Sequence, residues 1–261
     1  MRRKLYIHGS IFKDNKTFEF TKVDKKYKIF EERDFKEHLT KWNMEKNLKL
    51  LSYSFHGDVR EGEREQIIEN LFRSSDVLMS IGCKEFLDSD GKDLAIEIEP
   101  VPCNILSMEL FDRIYDNGIV ISDGTIRKCF EDYVDDIVIA DELRTMLLLE
   151  GSENYSLYSE DERKEFLFRI FQHFCLGGNL NQYEDNIEPY IMISKALYKD
   201  IMCVRKSGVP KKISIKSEIF KVVCYKDDVP VYPTSKQHYQ DFAYIILNMP
   251  MKQVSVLHHI W

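Results

Sequence analysis

The chain has 261 residues, enough for one large core or two smaller ones. Its 44% apolar and 31% charged content excludes wholesale disorder, and eleven glycines with seven prolines leave no room for a long flexible linker. The net charge of −7 hides a segregation: residues 1–50 carry 14 Lys/Arg against 8 Asp/Glu, residues 84–165 carry 8 against 22, and residues 195–221 carry 8 against 2. Opposed charges of this kind suit docking to a large partner.

Phe35, Leu39 and Trp42 recur at helical spacing behind Asp34, a residue suited to an N-cap, and Leu48–Phe55 reads as a strand. Gly57–Glu63 is a polar loop, after which Arg64 to Leu78 returns to helical spacing through Ile67, Ile68, Leu71 and Phe72. Asp88-Ser-Asp-Gly91 marks a turn. Leu94, Ile96 and Ile98 then alternate with Ala95, Glu97 and Glu99 as a strand with one wet face, ended by Pro100 and Pro102. A short helix through Met108, Phe111, Ile114 and Tyr115 stops at Asn117-Gly118. Asp123 is expected to cap another short helix ending near Tyr133, and Asp141 a third from Glu142 to Glu150.

The run from Glu165 to Tyr190 is the most informative part of the chain. Ser159 and Glu162 upstream of it form a capping box, in which the hydroxyl takes the amide three residues on and the carboxylate reaches back. Phe166, Leu167, Ile170, Phe171, Phe174 and Cys175 make a stripe about half the helix wide, which predicts a buried helix. Gly177 or Gly178 supplies the left-handed residue that closes it, and Pro189 opens the next helix, Tyr190 to Val204. After Pro210, the segments 212–216, 219–225, 242–248 and 254–261 read as four strands, with Asn248–Gln253 turning between the last two. The expected fold class is α+β, with helices packed on a mostly antiparallel sheet and a C-terminal antiparallel β-meander docked on the preceding helices. One compact domain over 1–261 is favoured, with a candidate sub-boundary near 80–90 that would separate a basic part, 1–85, from 86–261.

No stretch carries an enzyme signature. Phosphate-loop, nucleophile-elbow and zinc-protease motifs are missing, and Gly177-Gly178 follows a helix where a phosphate loop would precede one. Asp88-x-Asp90 with Glu99 at the twelfth position is a poor calcium loop, because Lys92 and Asp93 stand where a ligand and a glycine belong. His258 and His259 adjoin in a strand, so they face opposite ways and cannot chelate one ion, while His173 sits at the edge of the helix stripe. Six cysteines lie twenty or more residues apart, without zinc or redox-dithiol spacing, and are expected to be reduced and buried. The expectation is therefore no metal, no cofactor and no catalytic residue.

The N-terminus lacks the apolar core of a signal peptide and no apolar run spans a bilayer, so a cytosolic location without membrane insertion is expected. The Asn15 and Asn154 sequons are then expected to stay bare. The basic ends lack the interleaved aromatics and glycines of a nucleic-acid module, which argues against nucleic-acid partners. What remains is a set of polar residues suited to protein contact: Asp132, Asp135 and Asp136 in the acidic middle, and Asn179, Tyr183, Glu184, Asp185 and Glu188 in the corner after the glycine pair. That corner either folds in on itself or meets a partner.

Val101-Pro-Cys-Asn-Ile-Leu-Ser-Met-Glu-Leu-Phe-Asp-Arg-Ile-Tyr-Asp-Asn-Gly-Ile-Val120, Asp141-Glu-Leu-Arg144 and the run Glu165 to Tyr190 resemble the cilia- and flagella-associated protein 300 family. The likeness continues through Tyr198-Lys-Asp200, Val204-Arg-Lys206, Phe220-Lys-Val222 and Tyr232-Pro233, in order and with similar spacing over roughly residues 100–261. In the first ninety residues it rests mainly on Lys41-Trp-Asn-Met44. The resemblance implies a non-enzymatic protein of cytoplasm and cilium, needed for assembly and delivery of outer and inner dynein arms. It implies partners among dynein assembly factors, axonemal dynein chains and intraflagellar transport. A permanent axonemal component and a cryptic enzyme are the other two classes.

Overall fold

The computed structural model describes residues 2–7, 17–57, 62–83, 86, 94–207, 212–236 and 238–261. The Asp88–Gly91 turn, the acids of the weak calcium loop at Asp88 and Asp90, the start of the Asn15 sequon and most of the Gly57–Glu63 loop lie outside the described residues.

Residue contacts gather the chain into two compact units. The first comprises Met1–Lys26, Lys46–Val101 and Cys203–Trp261, the second Tyr27–Glu45 and Pro102–Met202. The chain crosses between them after Lys26, Glu45, Val101 and Met202, because one sheet takes strands from both ends of the chain, which linear spacing does not reveal.

In chain order, the first unit opens with strands β1 (Arg3–Ile7) and β2 (Glu19–Val23). The second unit supplies helices α1 (Lys28–Glu31) and α2 (Arg33–Lys41). Strand β3 (Leu48–His56), helices α3 (Arg64–Leu71) and α4 (Ser75–Ile81), and strand β4 (Leu94–Val101) belong to the first. The second resumes with helix α5 (Asp112–Asp116), strands β5 (Lys128–Val134) and β6 (Ile137–Asp141), and helix α6 (Glu142–Leu148). It ends with helices α7 (Glu160–Lys164), α8 (Phe166–Leu176) and α9 (Glu188–Ile201). The first unit closes with β7 (Val204–Ser207), β8 (Lys212–Ile215), β9 (Ser217–Lys226), β10 (Val229–Tyr232), β11 (Phe242–Asn248) and β12 (Gln253–His259).

The large sheet of the first unit runs β1-β4-β9-β11-β12-β3-β2, with β10 paired to the far end of β9, and its strand pairs are antiparallel. The α+β class therefore holds, and β9, β11 and β12 form the expected meander as successive neighbours. The strand at Lys212 leaves that meander and pairs with β7 in a separate hairpin. Strand β4 runs through Pro100, opposite Phe220, because β1 has already ended its pairing at Ile98 and no ladder bond is asked of the proline nitrogen on that side.

The helix expected from Arg64 to Leu78 is two helices broken between Phe72 and Ser74. The break lets Ile67, Ile68 and Leu71 of α3 and Val77, Leu78 and Ile81 of α4 enter one core with Ile96, Val222, Ile245 and Val256 of the sheet. Strand β12 lies between β11 and β3, and its two histidines are buried. Tyr232 Oη lies 2.9 Å from His258 Nδ1, and His259 Nδ1 donates to the Gln240 carbonyl at 2.7 Å. These are packing histidines.

Burial, helped by Lys49 and His259, lowers the His258 pKa from its ordinary 6.5 to about 4. The unfolded chain then binds more protons than the fold between those values. Stability present above pH 6.5 is lost as pH falls toward 4, by an amount on the order of 3 kcal/mol. Urea unfolding at stepped pH is expected to show this slope, and His258→Gln is expected to flatten it.

Candidate functional site

The candidate residues all belong to the second unit, and local chemistry fixes its frame. The capping box is present: Glu162 N donates to Ser159 Oγ at 3.3 Å, and Ser159 N donates to Glu162 Oε2 at 2.9 Å. The same carboxylate takes the Arg113 guanidinium through both of its oxygens, and Arg113 above all pulls the Glu162 pKa down to about 2. The helix then breaks at Glu165, whose backbone is extended, into α7 and α8. Glu165 accepts Asn104 N at 2.9 Å and Asn104 Nδ2 at 3.0 Å, while Phe166 N donates to the Pro102 carbonyl at 2.8 Å. The Pro102 carbonyl thus takes the Phe166 amide that would have continued the helix, and Asn104 holds the Glu165 side chain beside it.

Helix α8 buries the expected stripe and also Phe168 and Leu176. It ends at Gly177, whose φ of 59° and ψ of −151° lie in a region that only glycine occupies readily. Gly178 N donates to the Trp42 carbonyl at 2.8 Å. A Cβ on Gly177 would sit 2.8 Å from the Trp42 oxygen, and one on Gly178 2.3 Å from the Asn43 oxygen. The pair is therefore a close-approach site for the Trp42–Asn43 backbone as well as a helix stop.

At the centre lies a residue that sequence reasoning missed. Arg144 is 0% exposed. Its backbone N donates to Asp141 Oδ1 at 2.9 Å and its Nη1 to Asp141 Oδ2, so one carboxylate both caps α6 and balances the guanidinium. Nη2 donates to the Cys175 carbonyl at 2.8 Å and to Tyr190 Oη at 2.9 Å, and Cζ lies 3.2 Å from the centre of the Tyr183 ring. Burial works to lower the Arg144 pKa, but Tyr190 and Asp141 outweigh it and the net direction is up. The only sequence signal was an Asp-x-x-Arg spacing inside an apolar run, where the arginine reads as a surface residue.

The structure divides the predicted residues into two groups. Tyr183 turns inward, its Oη donating to the Val138 carbonyl at 3.2 Å and its ring against Arg144. Glu184, expected on a partner surface, is only 7% exposed. It accepts Lys41 Nζ at 2.5 Å and Trp42 Nε1 at 3.0 Å, with His38 Nδ1 at 3.3 Å, and its own N donates to Tyr190 Oη at 2.9 Å. A carboxylate with those partners is a structural knot, because burying it without them would be prohibitive. Asp185 and Glu188 stay exposed but engaged, Asp185 accepting Lys128 Nζ at 2.7 Å and Glu188 accepting Tyr115 Oη at 2.7 Å. Asn179 is exposed.

Asp132, Asp135 and Asp136 are also exposed, on an element that sequence patterning missed. The helix expected from Asp123 to Tyr133 does not form. Asp123 instead holds a turn by accepting Thr125 N at 2.9 Å, and β5 pairs with β6 as a hairpin whose turn contains Asp135 at φ 53°. Lys128 pairs with Asp141 but Asp132 with Ile139, so β5 carries two extra residues in a bulge. Ile137 and Ile139 of β6 are buried, whereas Phe130 in the bulge is 99% exposed and Tyr133 is 60% exposed. Among the described residues no helix is long and apolar enough to cross a membrane, and no group of three His, Cys, Asp or Glu could hold a metal. The six cysteines are free; Cys83, Cys175 and Cys224 are buried, while Cys103, Cys129 and Cys203 are partly exposed, against the expectation of general burial.

Two substitutions test this frame. Arg144→Ala leaves Asp141 buried without its cation and is expected to cost about 3–5 kcal/mol. Gly178→Ala forces a methyl into backbone that cannot move aside and is expected to cost about 1–3 kcal/mol. Urea unfolding measures both, and an unchanged midpoint in either variant would contradict the corresponding contact.

Residues 17–259 match the family model described as Cilia- and flagella-associated protein 300. The chain is 32% identical over 233 residues to a protein of that name from Paramecium tetraurelia, covering 89% of this chain and 90% of the relative. It is 31% identical over 238 residues to one from Chlamydomonas reinhardtii, covering 87% and 91%. No solved structure matches. The match thus takes in most of the N-terminal third, where the resemblance rested mainly on Lys41–Met44; in space, Lys41 and Trp42 of that string meet Glu184 and Gly178 of the strongest one. On these grounds the chain belongs to the cilia- and flagella-associated protein 300 family and is a cilium- and flagellum-associated protein.

Proposed function

We propose that this chain is a non-enzymatic adaptor or assembly factor that promotes assembly of outer and inner dynein arms and their delivery from cytoplasm to axoneme. Its partners would be dynein assembly factors, axonemal dynein chains and the intraflagellar transport machinery. Family membership supports the ciliary setting. The observation that carries the contact-based mechanism is the outward-facing acidic hairpin 128–141, which adds exposed aromatics to exposed carboxylates. The non-enzymatic part is supported by the partners of three perturbed groups: Glu162 is paired with Arg113, Arg144 with Asp141, and His258 lies against Tyr232.

Removing the chain from a ciliated cell and imaging axonemes in cross-section tests this reading. Outer and inner arms are expected to be lost together while the microtubule doublets remain. Arms that persist would sink the proposal. Abundance in detergent-extracted axonemes equal to that of the arms would point instead to a permanent axonemal component.

A further inference from the structure

We propose that the β5–β6 hairpin is a docking element that inserts Phe130 into an apolar pocket rimmed by lysine and arginine on a protein partner. Phe130 is the most exposed large hydrophobic side chain among the described residues, at 99%, with Leu180 next at 76%. The two-residue bulge in β5 accounts for it: bulges bend a strand and re-aim its side chains, and this one falls between the pairs Lys128–Asp141 and Asp132–Ile139. A surface that only needed solubility would place a charge at such a position, and the hairpin has those charges as well. Carboxylates alone read as protection of open strand edges. The aromatic residue among them is what that explanation leaves over.

The hairpin is held as a preformed ligand. Ile137 and Ile139 anchor its inner side, Asp141 at its base is fixed by buried Arg144, and the Val138 carbonyl accepts Tyr183 Oη. Lys128 at the other base strand is tied to Asp185 at 2.7 Å. Presenting an anchor from a rigid element lowers the ordering cost of association, and aromatic anchors with a polar surround are where interface energy concentrates.

Charge selects the occupant. From Cys129 to Asp141 the sequence contains no lysine, arginine or histidine, while Glu131, Asp132, Asp135 and Asp136 are exposed. Two copies meeting through this hairpin would set like charges against each other, which disfavours self-association there. A partner whose pocket is rimmed by basic residues meets both parts of the surface.

This inference rests on the adaptor reading only for where the partner is sought. A benzophenone amino acid placed at position 130 of the full chain, in ciliated cells, would mark what Phe130 touches. The expected cross-links fall on one recurring segment that combines an apolar residue with flanking lysine or arginine. A synthetic peptide of that segment is then expected to bind the purified chain with an affinity that falls as salt rises. Phe130→Ala should weaken it about tenfold, and so should the triple change Asp132→Asn, Asp135→Asn, Asp136→Asn.

The thermal melt of each variant is expected to match the parent, since these side chains lie outside the core. The inference is overturned by cross-links confined to other copies of this chain, by segments without basic residues, by absence of cross-links, or by affinity indifferent to both substitutions. The two readings fail separately. Dynein arms that survive loss of the chain remove the adaptor role yet leave the hairpin contact decided by cross-link and affinity. Arms fully restored by a Phe130→Ala chain that binds the peptide normally remove the hairpin contact alone.

Discussion

The second unit depends on one guanidinium that has no access to water. Arginine does not shed its proton in a protein, so burying Arg144 obliges the surroundings to supply a countercharge and acceptors. Asp141 supplies the charge from the junction of β6 and α6, Cys175 supplies a carbonyl from the end of α8, and Tyr190 supplies an oxygen from α9. The Cys175 carbonyl belongs to the last turn of a helix, where acceptors have no partner within the helix. Arg144 therefore caps α8 from the side while its own backbone is capped by Asp141. Such a cluster contributes little net stability against an apolar replacement, but the loss of any one member leaves a buried polar group without its partner, which favours the arrangement that satisfies them all.

The inward-facing residues follow from that arrangement. Tyr190 Oη accepts both Arg144 and the Glu184 amide, which aims the Glu184 carboxylate at Lys41, Trp42 and His38. The Trp42 ring stacks on Tyr190 with centroids 4.9 Å apart and on His38 at 5.1 Å. That stack brings the Trp42–Asn43 backbone against Gly177 and Gly178, where nothing larger than hydrogen fits. Four separated strings, 38–43, 141–144, 175–178 and 183–190, are thereby one polar core.

What the sequence disclosed, and what it hid, divides along the same line between local and long-range chemistry. The Ser159–Glu162 box, the cap at Asp141, Pro189 in the first turn of α9 and the apolar stripe of α8 depend on residues within a turn or two, and they were readable. The break at Glu165 was not, because it is drawn by Asn104 sixty-one positions away. Glu184 read as a surface acid because its cations lie about 140 positions upstream, beyond any periodicity. The sheet shows the same limit: β11 and β12 were legible as strands, but the register of β12 on β3, Gln253 with Ser54 through His259 with Leu48, has no local signature. The hairpin 128–141 was misread for a different reason. Its bulge breaks the alternation that marks a strand, and Asp123 ahead of it has the chemistry of a helix cap.

This division bears on function, because acids of the same type have opposite roles on either side of it. In the acidic middle, Arg113, Arg144 and Lys164 each bond a nearby carboxylate, and Lys128 bonds Asp185. A cation and an anion held together cancel beyond a few ångströms, so these pairs add little to the field that an approaching molecule feels. The hairpin tip carries the exposed acids Glu131, Asp132, Asp135 and Asp136 with no base in its own sequence, and it stands on the strand that runs directly into Asp141. Buried Arg144 holds Asp141 at the base of the hairpin, and the strand paired with that base carries the exposed Phe130 in its bulge, so the buried charge cluster and the exposed aromatic residue share one supersecondary element.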